Sequence, residues 1–151
     1  MGLKSSTDAV KLLVTTNHST SFDVIGKTLR SPFDAINAGE LTRNCSACLI
    51  APRSDLNEVF STVRGTRLQS TYGVSVFVVV DLEGRTSQAK YEAKIDQLLD
   101  LCDALATTFD AATPDASANF SKLQIGALSD IYDENEAFIG MEIPLQLTID
   151  R

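Results

Sequence analysis

The stretch Phe138-Ile139-Gly140-Met141-Glu142-Ile143-Pro144-Leu145-Gln146-Leu147-Thr148-Ile149-Asp150-Arg151 decides the fold class. From Ile139 to Ile149 every second residue is apolar, and the residues between are polar, small (Gly140) or conformationally special (Pro144). That is the period of a β-strand with one face buried and the other wet. The strand reads to the end of the sequence, so no catalytic segment is expected after it.

Upstream, residues 67–82 read as the longest strand. Leu68, Tyr72, Val74, Val76, Val78, Val80 and Leu82 share one face. Phe77 and Val79 on the other face mark the second half as buried on both sides, which predicts a central strand. After a turn over 81–87 comes one long helix. Its stripe is Tyr91, Ile95, Leu98, Cys102, Leu105 and Phe109, in alternating steps of four and three. Strands over about 121–131 and 138–150 close the chain as a hairpin around Asp133-Glu134-Asn135-Glu136.

The first 40 residues read as short helices. Ser6 is a candidate N-cap for a helix burying Val10, Leu13 and Val14, ended by the polar run Asn17–Thr20. A second helix from Ser21 would carry Phe22, Ile25 and Leu29, with Pro32 at its end, and Phe33 and Ile36 continue an apolar face to Gly39. A short strand follows from Cys45 to Ala51, closed by Pro52. Residues 53–66 have two readings. Leu56, Val59, Phe60 and Val63 have helical spacing, yet the stretch also suits a long hairpin connection that orders against a partner. The sum is an α+β fold: about four mostly antiparallel strands, one long helix packed on the sheet, and short N-terminal helices.

A chain of 151 residues fits one domain, 1–151, that buries roughly 70% of the surface exposed when unfolded. Its net charge of −7 argues against a protein that grips nucleic acid by neutralising phosphates. No apolar run approaches the roughly 18 residues of a membrane span, and no apolar segment follows Lys4 to make a secretory signal. Cys45, Cys48 and Cys102 are an odd set, expected as reduced thiols in a cytoplasmic compartment.

Chemistry-bearing motifs are sparse. Cys45-x-x-Cys48 has redox or zinc spacing, but it opens a strand rather than a helix, and only Cys102 and His18 are left to complete a metal site. His18, the one histidine, sits in a polar break and reads as a solvated loop residue. Asp130, Asp133, Glu134 and Glu136 lack the alternating ligands and central glycine of a calcium loop, and read as a solvated turn. Met1-Gly2-Leu3-Lys4-Ser5-Ser6 matches a myristoylation pattern, although one acyl chain on a protein of this charge would anchor poorly. Gly73 and Gly140, inside strands, mark bulges or close backbone approach. No catalytic or metal-binding residues and no cofactor are expected, and the role is expected to be non-enzymatic.

The order of elements resembles the tail terminator proteins of long-tailed bacteriophages. Leu29–Leu41, Leu-Arg-Ser-Pro-Phe-Asp-Ala-Ile-Asn-Ala-Gly-Glu-Leu, is similar to the family's segment after its first helix, where Phe-Asp-x-Ile/Val-Asn precedes a glycine-containing loop. Cys45–Ala51 and Thr71–Leu82 resemble its first two strands. Ile131–Ile149 resembles its final hairpin, in which an aspartate-rich turn leads to Phe-x-Gly-x-x-Ile/Val-x-Leu. Residues 53–66 match nothing in that pattern.

The resemblance implies a structural virion protein. It would form a ring, a homo-oligomer of six copies, at the head-proximal end of the tail tube, where it ends polymerisation and joins tail to head. The implied partners are the major tail tube protein and the head connector or stopper protein, with DNA passing through unread and no membrane involved. The implied location is the neck of the virion, after assembly in the host cytoplasm. Leu56, Val59, Phe60, Val63 and Pro144 are the candidate oligomer or tube contacts, the first four because they are apolar in a polar connection. Competing readings are another head-to-tail joining protein (stopper or tail completion), a non-viral adaptor that presents a sheet edge, and a small enzyme.

Overall fold

In the computed structural model the described residues are 3–29, 31–32, 46–61, 68–82, 87–112, 122–131 and 137–150. They form an α+β fold, with two helices packed on a six-stranded mixed sheet. In chain order the elements are α1 (Leu3–His18), β1 (Val24–Lys27), β2 (Ser46–Ser61), β3 (Leu68–Asp81), α2 (Gln88–Ala111), β4 (Lys122–Ile125), β5 (Ser129–Ile131) and β6 (Phe138–Asp150). The sheet order is β1-β2-β3-β6-β4, with β5 also on β6. Only β1 and β2 run parallel; the other pairs are antiparallel.

The alternating strands do what their pattern requires. Val74, Val76, Val78 and Val80 of β3 are buried on one face, flanked by Cys48 and Ile50 of β2 and by Ile143, Leu145 and Leu147 of β6. Onto this face α2 lays Leu98, Cys102, Leu105 and Phe109, and α1 lays Ala9, Val10 and Val14. Phe109 and Leu105 are fully buried, as are Val10 and Val14. Ser87 caps α2 by accepting from the Lys90 backbone N–H at 3.4 Å. This satisfies one of the free donors of the first turn.

Several expectations are corrected. Among the described residues the sheet has six strands where about four were expected. Ser6 is not a cap: α1 already begins at Leu3, and Ser6 lies buried inside it. The second helix predicted from Ser21 is instead the short strand β1, aligned with β2 from Val24↔Ala47 to Lys27↔Ile50. The final strand before the hairpin is broken into β4 and β5. Residues 132–136, Phe33, Ile36, Gly39 and Cys45 lie outside the described residues.

The two prolines in strands sit where a missing N–H costs nothing. Ile50 accepts from Thr28 on the outer edge of β2, so Pro52, two residues on, also turns its nitrogen outward. Among the described residues no strand pairs there, since β1 has ended. Pro52 therefore blunts an edge instead of ending a strand. Pro144 lies within β6, and its carbonyl accepts from Gly126 N–H at 2.8 Å. Its nitrogen points to the same side, at the break between β4 and β5, where no ladder bond is required. A Cβ on Gly126 would come within 3.0 Å of the Pro144 ring, so the ring occupies the space that this glycine leaves.

Candidate functional site

The structure gives residues 53–61 a third form, neither a connection that orders only against a partner nor a helix. They are the far half of β2, paired with β3 from Glu58↔Thr71 to Ser61↔Leu68. The register jumps between Arg53↔Gly73 and Glu58↔Thr71, so Leu56 falls in a bulge of unpaired residues, while Val59 and Phe60 pair with Ser70 and Gln69. Val63 lies outside the described residues. Pro144, expected near a strand edge, is half-buried inside β6, which is paired with β3 on one flank and with β4 and β5 on the other. Of the five candidates, then, three gather on the β2–β3 arm and Pro144 stands apart from them.

That arm continues well beyond β1. Among the described residues the outer edge of β2 has no strand partner after Ile50. At the opposite side of the sheet β4 and β5 pair, among the described residues, with β6 alone, and the segment Gly126-Ala127-Leu128-Ser129-Asp130 between and within them is exposed throughout. Among the described residues, then, neither side of the sheet is covered by a further strand.

The face away from the helices carries a polar cluster among small and apolar neighbours. Ser75, buried in the middle of β3, donates to Glu142 Oε1 at 2.7 Å. The Arg53 guanidinium lies 3.8 Å from the same oxygen. At that distance and partial exposure the ion pair contributes at most about 1 kcal/mol. Beside it Val79 and Phe138 form a second, smaller cluster with Ile131 and Ala137. Gly140 allows this: a Cβ there would stand 2.7 Å from Ile131 Cδ1 and Cγ1. The close approach expected of a strand glycine is met at this position.

At the β1 end, Lys4 and Lys27 share the carboxylate of Asp8, at 2.9 and 2.7 Å. The Lys27 and Lys4 hydrogen bonds hold the Asp8 carboxyl at about 2, well below its usual range. The ion pairs tie β1 to α1 and border a notch of about 390 Å³, lined by Lys4, Thr7, Lys27, Thr28, Leu29 and Pro52. Leu29 is 89% exposed, the most exposed large apolar side chain described.

Groups able to do chemistry are buried or scattered. His18 is not solvated: it closes α1, is only 9% exposed, and its Nε2 lies 2.5 Å from Thr108 Oγ1 on α2. Desolvation lowers its pKa, which favours the neutral ring. Cys48 and Cys102 are free thiols inside the core. Burial pushes both up, Cys102 to about 11, which suppresses the nucleophilic thiolate. Among the described residues no three His, Cys, Asp or Glu side chains are placed to hold a metal ion. No described helix is long and apolar enough to cross a membrane.

α2 contributes a further surface that the sequence reading missed. Glu92, Asp96, Asp100, Asp103 and Asp110 are exposed on one side of the helix, opposite its buried stripe. Steps of four, four, three and seven residues were the available signal, hidden beside the stronger apolar stripe.

Comparisons with known proteins find similarity among solved structures. No family model matches the chain, and no curated protein matches it. The fold is similar to that of a chain in a structure described as "Virion of native gene transfer agent (GTA) particle". The identity is 13% and the TM-score 0.42, covering 94% of this chain and 84% of that one. A likeness of this degree establishes no shared role.

Proposed function

We propose that this protein is a structural component of a virion, a ring-forming tail terminator that caps the head-proximal end of the tail tube and joins it to the head connector. The observation that carries the reading is a sheet that, among the described residues, has no further strand on either side, with the β2–β3 arm reaching past β1 and holding Leu56, Val59 and Phe60. A closed ring of identical subunits needs two different, complementary surfaces on each copy. An open strand edge on either side of one sheet provides such a pair. The order of elements that resembles tail terminators supports the same reading, and the burial of both described thiols and of the histidine is compatible with an architectural role.

The acidic side of α2 suits a conduit. Five exposed carboxylates on one helix side repel a polyanion instead of holding it, as passage of DNA without sequence reading requires. The partners in this reading are further copies of the chain, six to a ring, the major tail tube protein and the head connector or stopper.

Native mass spectrometry over a concentration series, with negative-stain images of the largest species, tests the ring. A six-fold ring with a hole wide enough for duplex DNA is expected, together with capping of purified tail tubes. A protein that stays monomeric and fails to cap tubes refutes the proposal. Replacing Leu56, Val59 and Phe60 together by Ser is expected to abolish assembly while leaving thermal unfolding of the monomer nearly unchanged. A large fall in melting temperature would assign those residues to the subunit's own core.

A further inference from the structure

Strand directions constrain how copies of this sheet can meet. β1 runs parallel to β2, and each step from β2 to β3, β3 to β6 and β6 to β5 is antiparallel. β1 and β5, on opposite sides of the sheet, therefore run in opposite directions. Copies related by rotation about an axis along the strands keep those directions. The β5 edge of one copy would meet the β1 edge of the next in the antiparallel sense, the better-paired arrangement.

The residues on these two edges are complementary. Lys27 lies on the helix-bearing side of the sheet, where it pairs with Asp8 of α1. Leu29, two residues later and 89% exposed, borders the notch with Lys4, Thr28 and Pro52. On the other edge Asp130 is aligned with Met141, which packs against the core beneath the helices, so Asp130 is also on the helix-bearing side. Leu128, two residues earlier, is 39% exposed. Asp130 has no ion pair among the described residues, whereas Lys4 and Lys27 share one carboxylate and leave a cation in excess. One edge thus offers apolar and then acidic at a spacing of two, and the other offers basic and then apolar at the same spacing.

We propose that copies of this chain join edge to edge, β5 of one pairing antiparallel with β1 of the next, with Asp130 opposite Lys27 and Leu128 opposite Leu29 in the notch. This contact rests on the ring reading and names its subunit interface. β1 ends at Lys27 and β5 begins at Ser129, so the contact extends each edge by one or two residues on docking, and moving from 27 to 29 on one edge then corresponds to moving from 130 to 128 on the other. The sheet would continue from copy to copy, and opposite charges and apolar side chains would face each other across the junction.

Opposed residues in antiparallel strands have Cα atoms about 4.5–5.5 Å apart, within the range a disulfide spans. In a Cys45→Ser background of the full chain, Leu29→Cys with Leu128→Cys is expected to give under oxidation a ladder of covalent oligomers ending at the ring number. Either cysteine alone should give none. Asp130→Lys is expected to lose the ring species in native mass spectra with unchanged circular dichroism, and adding Lys27→Glu should restore it. If the unmodified protein forms rings but the double-cysteine variant ladders no more than the single ones, the edge pairing is wrong and the ring reading stands. If the unmodified protein is monomeric at every concentration, both fall.

Discussion

Gly140→Ala is the sharpest test of packing in the sheet. The new Cβ would lie 2.7 Å from two carbons of the Ile131 side chain and 3.0 Å from the Val78 carbonyl oxygen. The Ile131 end can swing away, since β5 is held by only three aligned pairs to β6. The Val78 oxygen belongs to the backbone of the central strand and has little freedom. Replacing a strand glycine by alanine otherwise favours folding by roughly 0.5–1 kcal/mol, while overpacking costs roughly 1–3 kcal/mol. The clash is the larger effect, and a net loss of about 1–2 kcal/mol is expected. At this chain length that lowers the melting temperature by several degrees, at about 2–4 °C per kcal/mol. Urea titrations of the wild type, Gly140→Ala, Ile131→Ala and the double variant would measure it, with the denaturant slope checked for constancy. Ile131→Ala removes the closer of the two obstacles. The double variant should therefore be more stable than the sum of the single effects predicts, by about 1 kcal/mol. Additive single effects, or a neutral Gly140→Ala, would refute the reasoning.

Three further outcomes are expected. Phe109→Ala, which empties the best-buried aromatic position, should cost about 3–5 kcal/mol, read as a lower denaturant midpoint. The pKa of His18 is lower in the folded chain than its ordinary 6.5, so the unfolded chain binds the proton more readily. Stability is then full above 6.5 and falls as pH drops below it, and His18→Gln should flatten that decline in melts between pH 8 and 5; an unchanged slope would contradict it. Cys48 and Cys102 should resist alkylation by iodoacetamide until the protein is unfolded, with peptide mass spectra locating the label; prompt labelling of either would show the core to be open.

The parts of the fold legible in sequence are those where a single face is buried over many residues. β6 announces itself from Ile139 to Ile149, and α2 by the stripe ending at Phe109, because in each the period is sampled several times. β1 is only four residues long, too short to show alternation, and Phe22, Ile25 and Leu29 happen to fit a helical step. It becomes a strand because β2 lies ready beside it. The second half of β2 was hidden by Pro52, which reads as a stop unless one knows that its nitrogen faces an unpaired edge. His18 looked solvated among polar neighbours because the sequence cannot reveal that Thr108, ninety residues away, waits on another helix. For the same reason the candidate edges could not be read in advance. Leu29 and Leu128 become related only once the sheet sets them on opposite sides of one layer.

The placing of β6 beside β3 has a consequence for synthesis. The valine-rich segment Val74–Val80 needs β6 along its whole length, yet β6 begins at Phe138, long after β3 has left the ribosome. At roughly 5–20 residues per second, the nascent chain carries that open edge for on the order of several seconds. During this interval β2 can cover one side of β3 as a local hairpin, but nothing nearer than α2 follows on the other. Chaperone demand and aggregation during expression should therefore track the delay before β6 arrives more than the stability of the finished protein.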